Sequence, residues 1–275
     1  MSIPLGTPPR SAFPAPAIRL KIASPHTVSH RVQIPIMKLT TALLASLLLA
    51  PAARAQAPDA ELIMKGARMS ASLVKLDKGL TGQLRQGFRK VPVTMFLLGT
   101  DIQFQFTEDK QNTHIFHMRL GDTACQLFEI KDNKTTPFPA AKLTTPVANT
   151  DLTYEDLSLR FLYWPNPKWE QSENVSGQPC HKIRIDRPKG APGNYQVVYV
   201  WVHEKFGAFM RIRGHDNNGA LIKEFQVEDV MQIAKDTWTL RKMQVSTHNP
   251  ATGRRSSLTD VSFDTPNQRG PRGLR

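Results

Sequence analysis

Acidic residues are absent from the first 55 positions, cysteine occurs twice in 275, and no apolar run approaches the roughly 18 residues of a membrane-spanning helix. The missing motifs narrow the chemistry further. The chain has no G-x-S-x-G elbow, P-loop, dinucleotide fingerprint, His-Glu-x-x-His or Cys-x-x-Cys. That removes the short signatures of α/β hydrolases, nucleotide-binding enzymes and the common zinc sites. His114 and His117 stand three apart in a stretch of strand periodicity, so their side chains face opposite ways, and His181, His203 and His215 are scattered. No metal or cofactor is expected. Six of the 36 lysines and arginines but none of the 23 acids precede Gln56, so the formal +13 falls to +7 beyond that point. The basic residues are dispersed, with no stripe interleaved with exposed aromatics, which argues against nucleic acid as a partner.

What is present begins with an export signal. From Met37 the chain runs from a lysine through an apolar stretch to small residues ending Ala53-Arg54-Ala55, the three-part layout of a secretory signal peptide cleaved before Gln56. Residues 1–36, Pro-rich and without acids, read as an upstream extension, and 37–55 as the signal. No cysteine follows the cleavage site, so the exported chain carries no lipid-anchor signal of its own. Export to an oxidising compartment leaves two readings for Cys125 and Cys180: one disulfide, or two buried thiols. Residues 56–265 read as a single domain and 266–275 as a disordered basic tail.

Within that domain, residues 59–76 space Leu62, Ile63, Ala67, Met69, Leu73 and Leu76 as an amphipathic helix with Asp59 as N-cap. The period then changes to two. Ile102, Phe104 and Phe106 alternate with polar neighbours, and similar strands are expected over 79–87, 91–98, 113–120 and 124–131. Tyr195 to Val202 is apolar on both faces, predicting a strand covered on both sides. Strands over 207–214 and 220–228 flank Asn218-Gly219, a hairpin signal, and 236–247 and 255–263 form the last pair. Strand after strand with short turns means an antiparallel meander rather than βαβ units. About ten strands make a sheet that must curve, close or be covered. Phe96, Phe104, Phe106, Phe116, Met118, Val198, Val200 and Met210 are the candidates for its apolar concave face, with Phe225 in the same pattern.

The stretch TDLTYEDLSLRFLYW, residues 150–164, concentrates acids and aromatics. Read as a helix, it has Thr153 as N-cap, Asp156 as the returning acid of a capping box, and Leu152 with Leu157 as a hydrophobic staple. Glu155 and Asp156 also suit the positive end of the helix dipole. Adjacent Glu155 and Asp156 point in different directions, so they make a poor carboxylate pair for glycoside chemistry, and although Asp151 could join one of them, nothing else in the sequence supplies a recognisable partner. No catalytic residues are expected. Beyond the cap, Leu157, Phe161 and Trp164 leave a helix apolar nearly all round, which must be sandwiched or sit over a cavity. It reads as a lid ended by Pro165.

Together, Thr150-Asp-Leu-Thr-Tyr-Glu-Asp-Leu157, Gly177-Gln-Pro-Cys-His181, Val198-Tyr-Val-Trp-Val202 and His215-Asp-Asn-Asn-Gly219 resemble the bacterial outer-membrane lipoprotein-sorting family of LolA-like fold, over residues 75–265. The run holding Asp151, Tyr154, Glu155 and Asp156 is the most specific part. The resemblance implies an α+β fold: an incomplete antiparallel β-barrel covered on its open side by helices. Its apolar cavity would carry acyl chains or lipoproteins through the periplasm as a monomer, between an inner-membrane transporter and an outer-membrane acceptor. Family members hold the lid with an early-strand arginine, for which Arg85 and Arg89 are the candidates. A periplasmic interaction module or transporter adaptor with a filled core is the alternative.

Overall fold

A computed structural model of the chain describes residues 57–72, 76–107, 113–132, 134–234 and 237–266. The leader and signal readings lie outside these residues, as does the tail from 267 on. Helix α1 covers Ala60–Ser72. Asp59 caps it as expected, its carboxylate accepting from the N–H groups of Glu61 and Leu62 at 2.9 and 3.2 Å.

Thirteen strands among the described residues follow: β1 Leu76–Gln86, β2 Arg89–Leu98, β3 Asp101–Thr107, β4 Thr113–Leu120, β5 Cys125–Lys131, β6 Lys134–Pro137, β7 Lys168–Val175, β8 Gln178–Asp186, β9 Val197–His203, β10 Phe209–His215, β11 Leu221–Ala234, β12 Thr237–His248 and β13 Arg255–Phe263. All pair antiparallel in one sheet, ordered β6-β5-β4-β3-β2-β1-β13-β12-β11-β10-β9-β8-β7. The ends of the meander meet where β1 pairs with β13, and the sheet does not close: β6 and β7 are its edges. The ten strands expected from periodicity are all present. The three not anticipated are β6, β7 and β8. Edge strand β7 carries Lys168, Glu170, Gln171, Ser172 and Asn174 to solvent, so it shows no apolar alternation. It turns into β8 through Ser176 and Gly177, both at positive φ as a two-residue hairpin requires.

One large core lies along the concave face, drawing Leu80, Leu84, Val91, Val93 and Phe106 from one half of the sheet and Val200, Ile212, Phe225 and Val245 from the other. Strand β9 is covered on both faces, as its sequence implied. Val198, Val200 and Val202 enter the main core, while Trp201 joins Val175 and Cys180 in a second cluster on the opposite face. There Lys182, Arg211 and Arg213 lie 5.5–5.7 Å from the Trp201 ring centroid.

Residues 140–164 cross from β6 to β7. The expected helix over 153–164 is broken in two: α2, Tyr154–Ser158, then a single 3-10 turn, Arg160–Tyr163. Leu159 between them adopts the left-handed conformation, φ 47°. The break lets Leu157 and Leu159 face one space while Phe161 turns away and packs edge-on against Tyr195, with 5.7 Å between centroids. Arg68 of α1 binds this second turn, donating to the Leu162 carbonyl at 2.7 Å and lying 5.2 Å from the centre of the Tyr163 ring.

Cys125 on β5 and Cys180 on β8 are free thiols. They stand near opposite edges of the sheet order, so the disulfide reading gives way to two thiols, of which Cys180 is buried and Cys125 half-buried.

Candidate functional site

The concave face encloses a cavity of about 360 Å³, walled by Met95, Leu97, Phe104, Phe106 and Met118 on one side and by Phe209, Ile212, Phe225, Leu240 and Met243 on the other. Leu152, Leu157 and Leu159 of the crossing segment contribute to its lining. Asp156 is the only carboxylate among the lining residues. Val230 and Trp238 line the cavity yet are 45% and 58% exposed, so the apolar surface runs out to solvent beside the β11–β12 turn.

Along the strands behind this space the inward rows run from apolar to polar. Leu84, Val261, Met243 and Val227 are cross-strand neighbours on β1, β13, β12 and β11. Two positions nearer the opposite end, the row on β13, β12 and β11 becomes Thr259, Val245 and Phe225, and two further it is Ser257, Thr247 and Lys223. That last row meets Asp151. Its carboxylate accepts from Gln86 and from the hydroxyls of Thr247 and Thr259, all at 3.0 Å, and from Ser257. Lys223 donates to the Asp151 carbonyl at 2.5 Å and to Thr247 at 3.0 Å. A polar cluster therefore lies beyond the Thr259–Val245–Phe225 row, at the end of β12 remote from Trp238, with each of its buried groups partnered.

The neighbouring acids continue this cluster. The capping box is complete: Thr153 accepts from the Asp156 N–H at 3.2 Å, and Asp156 accepts from the Thr153 N–H at 2.8 Å. Asp156 also accepts from the Tyr195 hydroxyl and pairs with Lys223 at 3.6 Å. Burial pushes its carboxyl above the ordinary range, against the pull of Lys223 and Tyr195. The Tyr195 hydroxyl is pushed well up by burial and by the Asp156 charge. Glu155 accepts from the Asn194 N–H at 2.9 Å, and burial raises it to about 7. Glycines make room for these side chains. A Cβ at Gly193 would sit 1.9 Å from the Glu155 carboxylate, and one at Gly214 would sit 2.3 Å from the Tyr195 ring.

Of the residues expected on the apolar face or lid, Phe104, Phe106, Met118, Leu157 and Met210 line the cavity. Met210 also packs against the Trp201 cluster, since a bulge on β10 follows Phe209. Phe96 does not line it. Val91, Val93, Met95 and Leu97 are the inward residues of β2, so alternation sends Phe96 to the other face, where its ring covers Gly79. Phe116 packs edge-on against Phe138 and at a tilt against Tyr154 instead, with 5.0 and 5.3 Å between centroids. Phe161 packs against both Tyr195 and Trp164, and Val198 and Val200 are buried core. Arg85 pairs with Asp260 on the outer surface and Arg89 is exposed, so neither reaches the crossing segment. Lys223 does. Its position on the inward face of a strand otherwise carrying Phe225 and Val227 was the available sequence signal. Among the described residues no group of three or more His, Cys, Asp or Glu side chains could hold a metal ion, and no helix is long and apolar enough to cross a membrane.

A family model described as that of an uncharacterized protein matches residues 102–269, more than half of the chain. No curated protein matches the sequence. Solved structures do resemble the fold. A DUF1329 family protein from Desulfovibrio piger is 16% identical at a TM-score of 0.56, over 78% of this chain and 95% of that one. An outer membrane lipoprotein-sorting protein domain from Vibrio parahaemolyticus is 15% identical at 0.57, over 79% and 95%. A LolA superfamily protein from Nitrosomonas europaea is 11% identical at 0.53, over 76% and 92%. At such identities the likeness is one of fold.

Proposed function

We propose that this chain, which belongs to the family whose model matches residues 102–269 and shares the fold of lipoprotein-sorting and LolA superfamily proteins, is an exported, periplasmic, non-enzymatic carrier that shelters acyl chains in its concave face. One observation carries the reading: an apolar cavity whose lining continues to solvent at Val230 and Trp238. A sheet filled for stability alone has no reason to leave that space. Methylene groups moved into it leave water with a gain of roughly 0.8 kcal/mol each, so an acyl chain binds without polar recognition.

In this reading the segment from Leu152 to Leu159, with α1 behind its second turn, is the cover over the open side of the sheet. The acids of its motif serve to seat that cover. A donor in the inner membrane and an acceptor in the outer membrane would load and unload the cavity.

Lipid analysis by mass spectrometry of protein purified from periplasm without detergent tests the proposal. Stoichiometric acyl lipid is expected, lost in Phe104→Asp and kept in Phe88→Asp, whose side chain is fully exposed in the β1–β2 turn. Clean protein that also refuses added fluorescent fatty acid would overturn the carrier reading in favour of an interaction module.

A further inference from the structure

We propose that the tips of the β1–β2 and β12–β13 hairpins dock the protein on an anionic lipid surface, with Phe88 entering the headgroup layer among Arg89, Lys90, Arg254 and Arg255. The inference is separate from what the cavity holds. Its first support is the β1–β2 tip. Gln86 pairs with Arg89, so only Gly87 and Phe88 make the turn, and Gly87 takes the positive φ, 58°, that so tight a reversal needs. Phe88 at the apex is fully exposed. Arg89 and Lys90 beside it are exposed too.

The second support is the neighbouring tip. β1 and β13 are paired, Arg85 against Asp260. Continued past Gln86, this register sets Phe88 level with Ser257, with Arg255 and Arg254 two and three residues farther along. Backbone bonds hold their loop: the Asn249 N–H donates to the Arg254 carbonyl at 2.9 Å, and the Gly253 N–H to the Asn249 carbonyl at 2.8 Å. Neither tip, residues 85–90 or 248–256, contains an acid. Arg85 is matched by Asp260 at 2.6 Å, whereas the side chains of Arg89, Lys90, Arg254 and Arg255 make no ion pair among the described residues.

An exposed Phe alone would carry nothing, since single apolar residues are common on surfaces. Four uncompensated cations around a bare aromatic ring are a different matter. A lipid headgroup layer offers phosphates to the cations and an apolar boundary to the ring. The other end of these strands, where Val230 and Trp238 stand, mixes Asp122, Glu204 and Asp264 with Lys78 and Lys205, so the molecule's charge turns the two tips toward a negative surface. Docked so, the chain keeps its cavity mouth at the far end from the bilayer. Docking then localises the protein, and cargo exchange is a separate event.

The test is co-sedimentation of the exported chain with vesicles of phosphatidylcholine, with and without phosphatidylglycerol, at low salt and at about 0.5 M. Binding to the anionic vesicles alone is expected, and lost at high salt. Each surface cation contributes about fivefold, so Arg254→Gln with Arg255→Gln should weaken binding about 25-fold. Phe88→Asp should weaken it about tenfold or more. Phe206→Asp, in the β9–β10 turn at the mouth end, should leave it unchanged. These side chains are all exposed, so the melting temperatures of the variants should not move. In Phe88→Trp, brominated acyl chains should quench emission beyond the wild-type level, since the new indole enters the bilayer. Equal binding to neutral vesicles, or a loss in Phe206→Asp as large as in Phe88→Asp, overturns the assignment of these tips. No binding to any vesicle overturns the membrane as partner and leaves an acidic protein surface as their match. Uptake of a fluorescent fatty acid, measured on the same variants, should persist in Phe88→Asp; its absence from every form would defeat the carrier reading and leave docking standing.

Discussion

Lys223 holds its ammonium 3.6 Å from the carboxylate of Asp156, with 10% of the lysine side chain and none of the aspartate side chain exposed. The lysine also bonds the Asp151 carbonyl and the Thr247 hydroxyl, so one cation ties the crossing segment to β11 and β12. Lys223→Met should therefore leave Asp156 buried without its counter-charge. Removing one member of a buried pair costs about 3–5 kcal/mol, and an unfolding midpoint in urea lowered to match is expected. A loss below about 1 kcal/mol would show that Tyr195 and Thr153 alone hold Asp156.

Glu155 sets a pH dependence of definite sign. Its carboxyl rises to about 7, first through burial and then through the Asp156 charge, although the Asn194 N–H and Arg187 pull the other way. The folded chain thus binds this proton more tightly than the unfolded chain does. Between the ordinary glutamate value and about 7, stability falls as pH rises, and above that the slope vanishes. The effect amounts to about 2–3 kcal/mol between acid and neutral pH. Glu155→Gln keeps an acceptor for Asn194 and removes the charge, so its unfolding free energy should vary less between pH 5 and pH 8. An unchanged pH profile in that variant would refute the assignment. Asp156 shifts in the same direction and contributes whatever slope remains.

Much of this arrangement was legible in the sequence, and the failures have physical causes. Alternation at Ile102, Phe104 and Phe106 placed β3 with its inward residues correct, because strand period fixes the face. On β2 the register put Met95 inside and Phe96 outside. A large aromatic looks like core, yet Gly79 leaves a seat for it on the other face. The capping box at Thr153 was visible from local spacing. Its interruption at Leu159 was not, since the helix apolar all round serves two different environments: the cavity and the Tyr195 pocket. Hardest of all was Asp151. Its partners lie 65 to 108 residues away on three strands, a relation set by register alone.

Gly193 should tolerate no side chain. Its φ of 132° lies where L residues are strained, and the Glu155 carboxylate occupies the space of a Cβ. Gly193→Ala is expected to lower stability by about 2 kcal/mol or more. Because part of that cost is the collision with Glu155, Gly193→Ala combined with Glu155→Ala should cost less than the two changes summed. The double-mutant cycle measures this directly, and strict additivity would place the whole penalty in the backbone.

The two thiols predict an absence of redox coupling. Cys125 is half-buried and Cys180 is fully buried beside Val175 and Trp201, so neither has a partner within the fold. Burial pushes the Cys125 thiol up to about 11 despite Arg160, and burial raises Cys180 as well. At pH 8 only about a thousandth of Cys125 is then thiolate, the form that reacts. Alkylation of the folded protein with iodoacetamide should be slow at both sites and become fast on unfolding. The melting temperature should be the same with and without reductant. Intact mass after denaturing alkylation is the decisive reading: two added carbamidomethyl groups without prior reduction mean two thiols, and none would mean that the strands bearing Cys125 and Cys180 approach each other far more closely than this sheet allows.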